Sequence, residues 1–336
     1  MTNILPTYPR SNLEFSHGIG SYLYEKSGEK FLDFGTGIAV NSLGYSHPYI
    51  NTKLNEQAEK LWHLSNVYKI PEQEQLAKRL CNLCFADYVF FCNSGTEAVE
   101  ASIKIARRYF YNPDVTKNKT EILSFSGSFH GRTIGSLAAG GPDKLSTFNT
   151  NVNDFNLLEF GDHDSLHNSI NENTAAIIIE PIQGEGGIRE VPSQCLQGLR
   201  KICDENDILL IFDEVQCGMG RTGKMFAHEW SDVSPDIMTE ENFFNKISQV
   251  AVKLRSELEK LPTEFPNIIE SIKGRGFILG LKCKVNNQEF VEKARTNKIL
   301  TVKASDNIVR LLPPINLSIE ECHEAIEKLR QTCDEF

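Results

Sequence analysis

The chain has 336 residues and a net charge of −10, with a sequence pI of about 5.4. This acidic balance argues against a nucleic-acid backbone as partner, and the 40% hydrophobic and 24% charged fractions exclude a disordered or fibrous protein. The length of the chain predicts two domains. No apolar run approaches the roughly 20 residues of a membrane span, and the N-terminus carries no signal pattern. We therefore expect a cytoplasmic protein without a membrane partner.

The first predicted elements form a β-hairpin, with strands at 21–26 and 30–35 on either side of a glycine turn. From residue 48 the pattern changes to helical periodicity, in 71–83 and 95–111, that alternates with short apolar runs. This alternation predicts an α/β fold with a mostly parallel sheet covered by helices. The runs predicted as strands are 87–93, 121–126, 175–181 and 208–214.

Cys81 and Cys84 form a C-x-x-C near the end of the predicted helix 71–83. No second cysteine pair or histidine at metal-ligand spacing accompanies them, and buried cysteine commonly packs as a small apolar residue. All nine cysteines are therefore interpreted as reduced thiols, and we predict no metal site. Metal or redox chemistry at this pair is the alternative.

Polar residues at the ends of the predicted strands are the candidates for chemistry, because ligands of open α/β sheets bind beyond the carboxyl ends of the strands. The run 87–93 leads into the letters NSGT at 93–96, where a helix begins. Free N–H groups at a helix start favour an anion such as phosphate. A capping box between Ser94 and Glu97 explains the same residues without any ligand.

The segment 124–136 holds Phe129, His130 and Arg132 among glycines and serines. An aromatic ring beside an arginine suits a planar ligand that carries a carboxylate, since a guanidinium group binds a carboxylate through two parallel hydrogen bonds. The alternative is a surface loop with a solvated arginine.

Two glutamates follow the apolar run 175–181. Glu180 ends a strand that is apolar on both faces, whereas Glu185 lies among three glycines. A carboxylate on such a flexible backbone could turn towards or away from a cation in the site. The alternative is a tight turn that leaves Glu185 in water.

Asp213 is the most informative residue, because it follows five apolar residues and its carboxylate is therefore carried into the interior. A buried carboxylate needs a partner, and the N–H of a pyridinium ring is a suitable one. The glycines at 218–223 match G-x-G-x-x-G formally. They do not follow the strand directly or open a long helix, so a nicotinamide cofactor is disfavoured.

After Thr239 the pattern predicts a separate α+β lobe. A long amphipathic helix opens at Glu240, and a closing helix starts near residue 318. The strands predicted between them are 270–274, 277–283, 299–304 and 307–312, with a helix at 287–298.

Taken together, these stretches resemble the class III aminotransferases, which are fold type I enzymes that use pyridoxal 5′-phosphate (PLP). The likeness covers nearly the whole chain, and GIAVNSLG at 37–44 favours the acetylornithine branch. Other segments that carry it are FFCNSGTEAVEASIKIAR, SFHGRT, IIIEPIQGEGGI, LLIFDEVQCGMGRTGKMFAHE and IVRLLPPINL.

The resemblance implies a large PLP-binding α/β domain, 51–239, and a smaller α+β domain made of 1–50 and 240–336. It also implies a homodimer that transfers an amino group between N-acetylornithine and 2-oxoglutarate in arginine synthesis. No nucleic acid takes part in such a reaction.

Residue roles also follow from the resemblance. Asp213 would pair with the ring nitrogen and keep it protonated, so that the ring accepts electrons. Phe129 and Val215 would contact the two ring faces, and Gln216 the phenolic oxygen. The residues implied for the cofactor phosphate are Ser94, Gly95 and Thr96.

For the substrates, the resemblance implies that Arg132 binds the α-carboxylate. Glu185 and Arg310 would pair to form a gate, which lets the amino donor and 2-oxoglutarate share one site.

One part of the family pattern is missing. After the strand that matches 235–239, the family continues with a loop that carries the Schiff-base lysine, then a strand, a serine-threonine pair and a helix. Here Thr239 passes directly into Glu240. Lys224 and Lys273 belong to other segments, so we predict an impaired or inactive chain and an open edge or cavity in the main sheet.

Three interpretations remain open. The chain is an acetylornithine aminotransferase by descent that has lost activity, or a non-catalytic subunit that dimerises with an intact paralogue. Otherwise the sequence is incomplete at this point, and the natural protein is an ordinary acetylornithine or related ω-aminotransferase.

Overall fold

A computed structural model describes residues 3–115, 118–239 and 249–336. Its strands are β1 (Phe15–Ile19), β2 (Tyr22–Glu25), β3 (Lys30–Asp33), β4 (Glu121–Phe125), β5 (Phe155–Leu158), β6 (Thr174–Ile179), β7 (Ile182–Gln183), β8 (Arg189–Glu190), β9 (Leu209–Asp213), β10 (Ile237–Thr239), β11 (Ile269–Arg275), β12 (Ile278–Cys283), β13 (Ile299–Leu300), β14 (Val302–Ala304) and β15 (Ile308–Leu311).

The helices flank these strands. They are α1 (Thr36–Ala39), α2 (Pro48–Ala58), α3 (Pro71–Cys81), α4 (Gly95–Tyr109), α5 (Ile134–Ala139), α6 (Pro142–Ser146), α7 (His163–Ser169), α8 (Ser193–Asn206), α9 (Val250–Leu258), α10 (Leu261–Glu264), α11 (Asn287–Thr296) and α12 (Ile319–Asp334), with a 3-10 helix at Ala227–Trp230. None of these helices is long and apolar enough to cross a membrane.

A five-stranded parallel sheet, in the order β10-β9-β6-β4-β5, forms the centre of the structure. Strand β6 is buried along its whole length, as expected for a strand covered on both faces. Val99 and Ile103 of α4 pack on one face of the sheet, and Leu196 and Leu199 of α8 belong to a second apolar cluster. The predicted α/β fold with a mostly parallel sheet is confirmed, although β5, which is only four residues long, was not predicted.

A second, antiparallel sheet of order β11-β12-β15-β14 forms the α+β lobe. The N-terminal hairpin β2–β3, which the sequence predicted, joins this lobe because β3 pairs with β13. Leu32 and Phe34 lie in one apolar cluster with residues of α9, α11 and α12. This packing agrees with the proposed lobe made of 1–50 and 240–336, a division that stays a prediction.

The predicted strand 87–93 is wrong. These residues form no ladder with any described strand, and β10 is the outermost strand of the parallel sheet. Tyr88 and Phe90 are 91% and 69% exposed, and residues 87–91 line an open groove of about 570 Å³ together with α3. The local sequence favours a strand, but an extended segment needs a hydrogen-bonded neighbour, which the described residues do not supply.

This exposed segment is expected to promote self-association. Replacing Tyr88 and Phe90 together by lysine should lower the fraction of multimer at micromolar concentration, because charges on exposed apolar segments oppose edge-to-edge pairing. Size-exclusion chromatography with light scattering measures this fraction. Phe148→Lys is the control, since Phe148 is 66% exposed outside this segment. An equal effect of both changes would contradict the assignment.

The helix predicted to open at Glu240 lies outside the described residues. In the described part, the strand before it ends at Thr239 and the next helix, α9, begins at Val250.

Candidate functional site

Asp213 lies at the carboxyl end of β9, between β10 and β6 of the parallel sheet, and is 3% exposed. Its Oδ2 is 2.7 Å from Nδ1 of His130, and its Oδ1 accepts hydrogen bonds from Oγ1 of Thr239 at 3.0 Å and from the N–H of Val215 at 3.2 Å. Each carboxylate oxygen has two acceptor positions, so the group can accept a further N–H. The prediction that this carboxylate is carried into the interior is confirmed.

His130 is fully enclosed beside Asp213, with 2% exposure. Its Nδ1 faces the carboxylate, while its Nε2 forms no hydrogen bond within the described part of the chain. A ring fixed in this way orients the carboxylate that it contacts.

Glu180 follows β6, the neighbour of β9 in the sheet, and is 6% exposed. It accepts the N–H of Phe129 at 2.8 Å and, more weakly, the N–H of Gly184 at 3.4 Å. Burial is the main cause that raises the pKa of this carboxyl to about 7. The structure therefore brings two buried carboxyl groups, at 180 and 213, to the same edge of the sheet.

The start of α4 approaches this edge. Ser94 caps the helix through a hydrogen bond from the N–H of Glu97 to its Oγ at 3.4 Å. A Cβ on Gly95 would lie 2.6 Å from Cγ1 of Val215, so only glycine fits there. The Oγ1 of Thr96 is 3.0 Å from Oγ of Ser136. The N-cap by Ser94 is thus observed, but the carboxylate of Glu97 accepts the N–H of Asn93 at 2.5 Å, so only the Ser94 half of the predicted capping box is seen. The first-turn N–H groups still point beyond the helix end.

Phe129 and Arg132 lie on the open side of the site. The Phe129 ring is 42% exposed, and the Arg132 guanidinium lies 5.7 Å from its centre. Arg132 also stacks on the ring of Tyr8, at 5.2 Å, and donates a hydrogen bond to its hydroxyl. The guanidinium group is therefore held by Tyr8, an N-terminal residue that no local motif marks as part of the site.

Arg310 brings the second lobe to the site. It lies on β15, is 2% exposed, and donates to Oε2 of Glu185 at 3.1 Å and to Oε1 of Gln216 at 3.0 Å. Burial lowers the pKa of Arg310, and Glu185 raises it. The predicted pair is thus in contact, although its role as a gate stays a prediction.

The glycines at 218–223 form turns that are followed by the short 3-10 helix, so they do not open the helix of a dinucleotide site. Arg221 within them is buried and donates to the carbonyls of Pro313 and Ala39. Glu214 accepts the N–H groups of Ala227 and His228, at 2.6 and 2.9 Å. This segment is structural.

Cys81 and Cys84 are partly buried, and burial raises the pKa of Cys84. In the parts of the chain described above, no group of three or more histidine, cysteine or acidic side chains could hold a metal ion.

The amino-acid sequence matches the family model for class III aminotransferases over residues 7–241 and 239–333. The chain belongs to the class III aminotransferases. PLP is the cofactor of this family, whose reactions use an amino donor and a keto acid.

The chain is 42% identical to the acetylornithine aminotransferase of Mesorhizobium japonicum, over 96% of this chain and 94% of the relative. The acetylornithine aminotransferase of Agrobacterium fabrum is also 42% identical, over 97% and 94%. Among solved structures, N-acetylornithine aminotransferase from Stenotrophomonas maltophilia superposes with a TM-score of 0.84 at 30% identity, covering 98% of this chain and 97% of that one. A PLP-bound amine transaminase from a Pseudomonas species has a TM-score of 0.88 at 21% identity, covering 100% and 99%, and supports the fold alone.

The alignment with the Mesorhizobium enzyme spans 379 positions, whereas 96% of 336 residues is about 323 residues, so about 56 positions have no residue of this chain. The two matches to the family model meet at residues 239–241. This junction directly follows Thr239, whose hydroxyl binds Asp213.

Proposed function

We propose that the family activity of this chain is transfer of an amino group from N-acetylornithine to 2-oxoglutarate, by a homodimer in the cytoplasm. The acetylornithine aminotransferases at 42% identity support this substrate class. Nine free cysteines accord with a reducing compartment. The observation that carries the proposal is the buried Asp213, open to a further donor at the sheet edge, between the start of α4 and the exposed Phe129 ring.

The residues present fit the cofactor. Asp213 has acceptor capacity for a pyridinium N–H, and the first turn of α4 offers N–H donors for a phosphate. Gly95 presents bare backbone there, packed against Val215. When bound, PLP supplies an electron-accepting ring and a carbonyl group that takes up the substrate nitrogen.

Each of the residues around the cofactor would then have its own role. Asp213 holds the proton on the ring nitrogen, and Phe129 and Val215 exclude water from the ring faces. Gln216 orients the phenolic oxygen, while Ser94, Gly95 and Thr96 bind the phosphate.

Charged residues of the two lobes would bind the substrates. Arg132, steadied by Tyr8, binds the α-carboxylate. Arg310 meets either Glu185 or the distal carboxylate of 2-oxoglutarate, so that one site accepts both substrates.

We further propose that this chain is inactive or nearly so, because the segment with the Schiff-base lysine is missing between Thr239 and Glu240. The junction of the family matches at 239–241 and the unmatched positions support this. Without the lysine, neither covalent attachment of the cofactor nor proton transfer at Cα has its usual group.

Borohydride reduction tests this proposal. Purified chain incubated with PLP and then reduced is expected to yield no adduct on any single lysine in peptide mass spectra, and N-acetylornithine with 2-oxoglutarate should give no glutamate above background. Lys224→Arg and Lys273→Arg variants serve as controls for scattered labelling. One stoichiometric adduct together with turnover would overturn the proposed inactivity.

A non-catalytic subunit is the second candidate, favoured by large exposed apolar side chains such as Trp62, Val67 and Tyr88, at 87%, 82% and 91% exposure. Co-purification with an intact paralogue from the same cell would support it, and free monomer in the presence of that paralogue would exclude it.

A further inference from the structure

We propose that Glu180 is a positioning residue that holds two loops of the site at a fixed spacing. The inference rests on the proposed function only for the identity of the ligand. Glu180 touches none of the residues assigned to substrate, and the roles above leave it without one.

The geometry of the hydrogen bonds supports this role. One carboxyl group accepts N–H groups from two segments that are far apart in sequence, Phe129 at 2.8 Å and Gly184 at 3.4 Å. The first bond fixes the turn that carries the aromatic ring and His130. The second fixes the loop that carries Glu185. Because Glu180 directly follows the rigid, buried strand β6, it ties both loops to the sheet.

Glu180 lies among titratable groups from several elements. It is 6% exposed, and its two oxygens accept hydrogen bonds from backbone N–H groups. The titratable groups around it are His130 from the turn, Asp213 from β9, Lys144 from α6 and Arg310 from β15.

Burial and Asp213 oppose the ionised form of Glu180, while His130 and the two N–H groups favour it. Burial prevails, and the pKa rises from 4.5 to about 7.

Glu180 makes the stability of the folded chain depend on pH. The folded chain binds a proton that the unfolded chain releases between pH 4.5 and 7, so this group makes stability fall as pH rises through that range, with no further change above it. Glu180→Gln removes this dependence while it keeps an oxygen to accept the N–H of Phe129.

The test uses pyridoxine 5′-phosphate, which binds without a lysine. Glu180→Leu should raise the Kd about tenfold, because it leaves the N–H groups of Phe129 and Gly184 without an acceptor. Glu180→Gln, which keeps an acceptor oxygen, should raise it less. Asp33→Asn is the matched control, because Asp33 is also buried with a raised pKa but binds Tyr45 and the N–H of Gly35. Its Kd should equal that of the natural chain.

Hydrogen exchange gives a readout that needs no ligand. The amides of Phe129 and Gly184 should lose protection in Glu180→Leu and keep it in Glu180→Gln at pH 6. Equal protection in all three chains, or an equal Kd in all three, would overturn the inference. Absence of ligand binding in every chain, with the predicted exchange pattern intact, would instead overturn the proposed cofactor site.

Discussion

Inserting the segment that we propose to be missing between Thr239 and Glu240 is expected to turn this chain into an active aminotransferase. The insert is the part of the Mesorhizobium japonicum relative that follows the strand matching residues 235–239 and carries the Schiff-base lysine; the alignment with this relative leaves about 56 positions without a residue of this chain. Transamination of N-acetylornithine should rise about 10³-fold or more, since proton transfer by a positioned group alone contributes about 10²–10⁴-fold. Glutamate formation from 2-oxoglutarate measures this rate.

The same insert with its Schiff-base lysine replaced by alanine is the control. It distinguishes an effect of the insert on catalysis from an effect on folding. This control should restore the neighbour of the exposed segment 87–93, and so bury Tyr88 and Phe90, without restoring turnover. Reduced self-association with no activity is therefore the expected result. If the chain without any insert already turns over at the rate of the restored chain, the account of the missing lysine is wrong.

The sequence predicted those elements whose signals are local. The start of α4 was read from a cap at Ser94, and the buried strands β6 and β9 from continuous apolar runs. The run 87–93 has an equally good strand pattern, yet it remains unpaired among the described residues. A strand depends on a partner that lies elsewhere in the chain, so its own composition cannot decide whether it forms.

Some contacts of the candidate site were predicted from the sequence and others were not. The resemblance pointed to Glu185 and Arg310, which are 125 residues apart and lie in contact at 3.1 Å. The contact of Tyr8 with Arg132 and the two hydrogen bonds that Glu180 accepts were not predicted. These contacts join segments that are distant in the sequence, and no local pattern relates them. His130 was noticed within its motif, but only the fold shows that its Nδ1 meets Asp213.

Replacing Asp213 by asparagine is expected to weaken binding of pyridoxine 5′-phosphate about 10- to 100-fold, because a hydrogen bond to a charged group contributes about 1.5–3 kcal/mol. His130, Thr239 and Val215 all direct hydrogen-bonding groups at this carboxylate. An amide offers one acceptor oxygen where the carboxylate offers two. One of the two acceptor positions therefore becomes a donor, and no negative charge remains to keep a ring nitrogen protonated.

The ¹⁵N chemical shift of ring-labelled pyridoxine 5′-phosphate reports that proton directly. The bound ring should be protonated at pH 8 in the natural chain and deprotonated in Asp213→Asn. Glu214→Gln is the control, since Glu214 is adjacent and fully buried but holds the 3-10 helix through Ala227 and His228. That change should lower stability and leave the ring signal unaltered. A protonated ring in Asp213→Asn would mean that another group supplies the charge, and the assignment of Phe129, Val215 and Gln216 around the ring would lose its anchor.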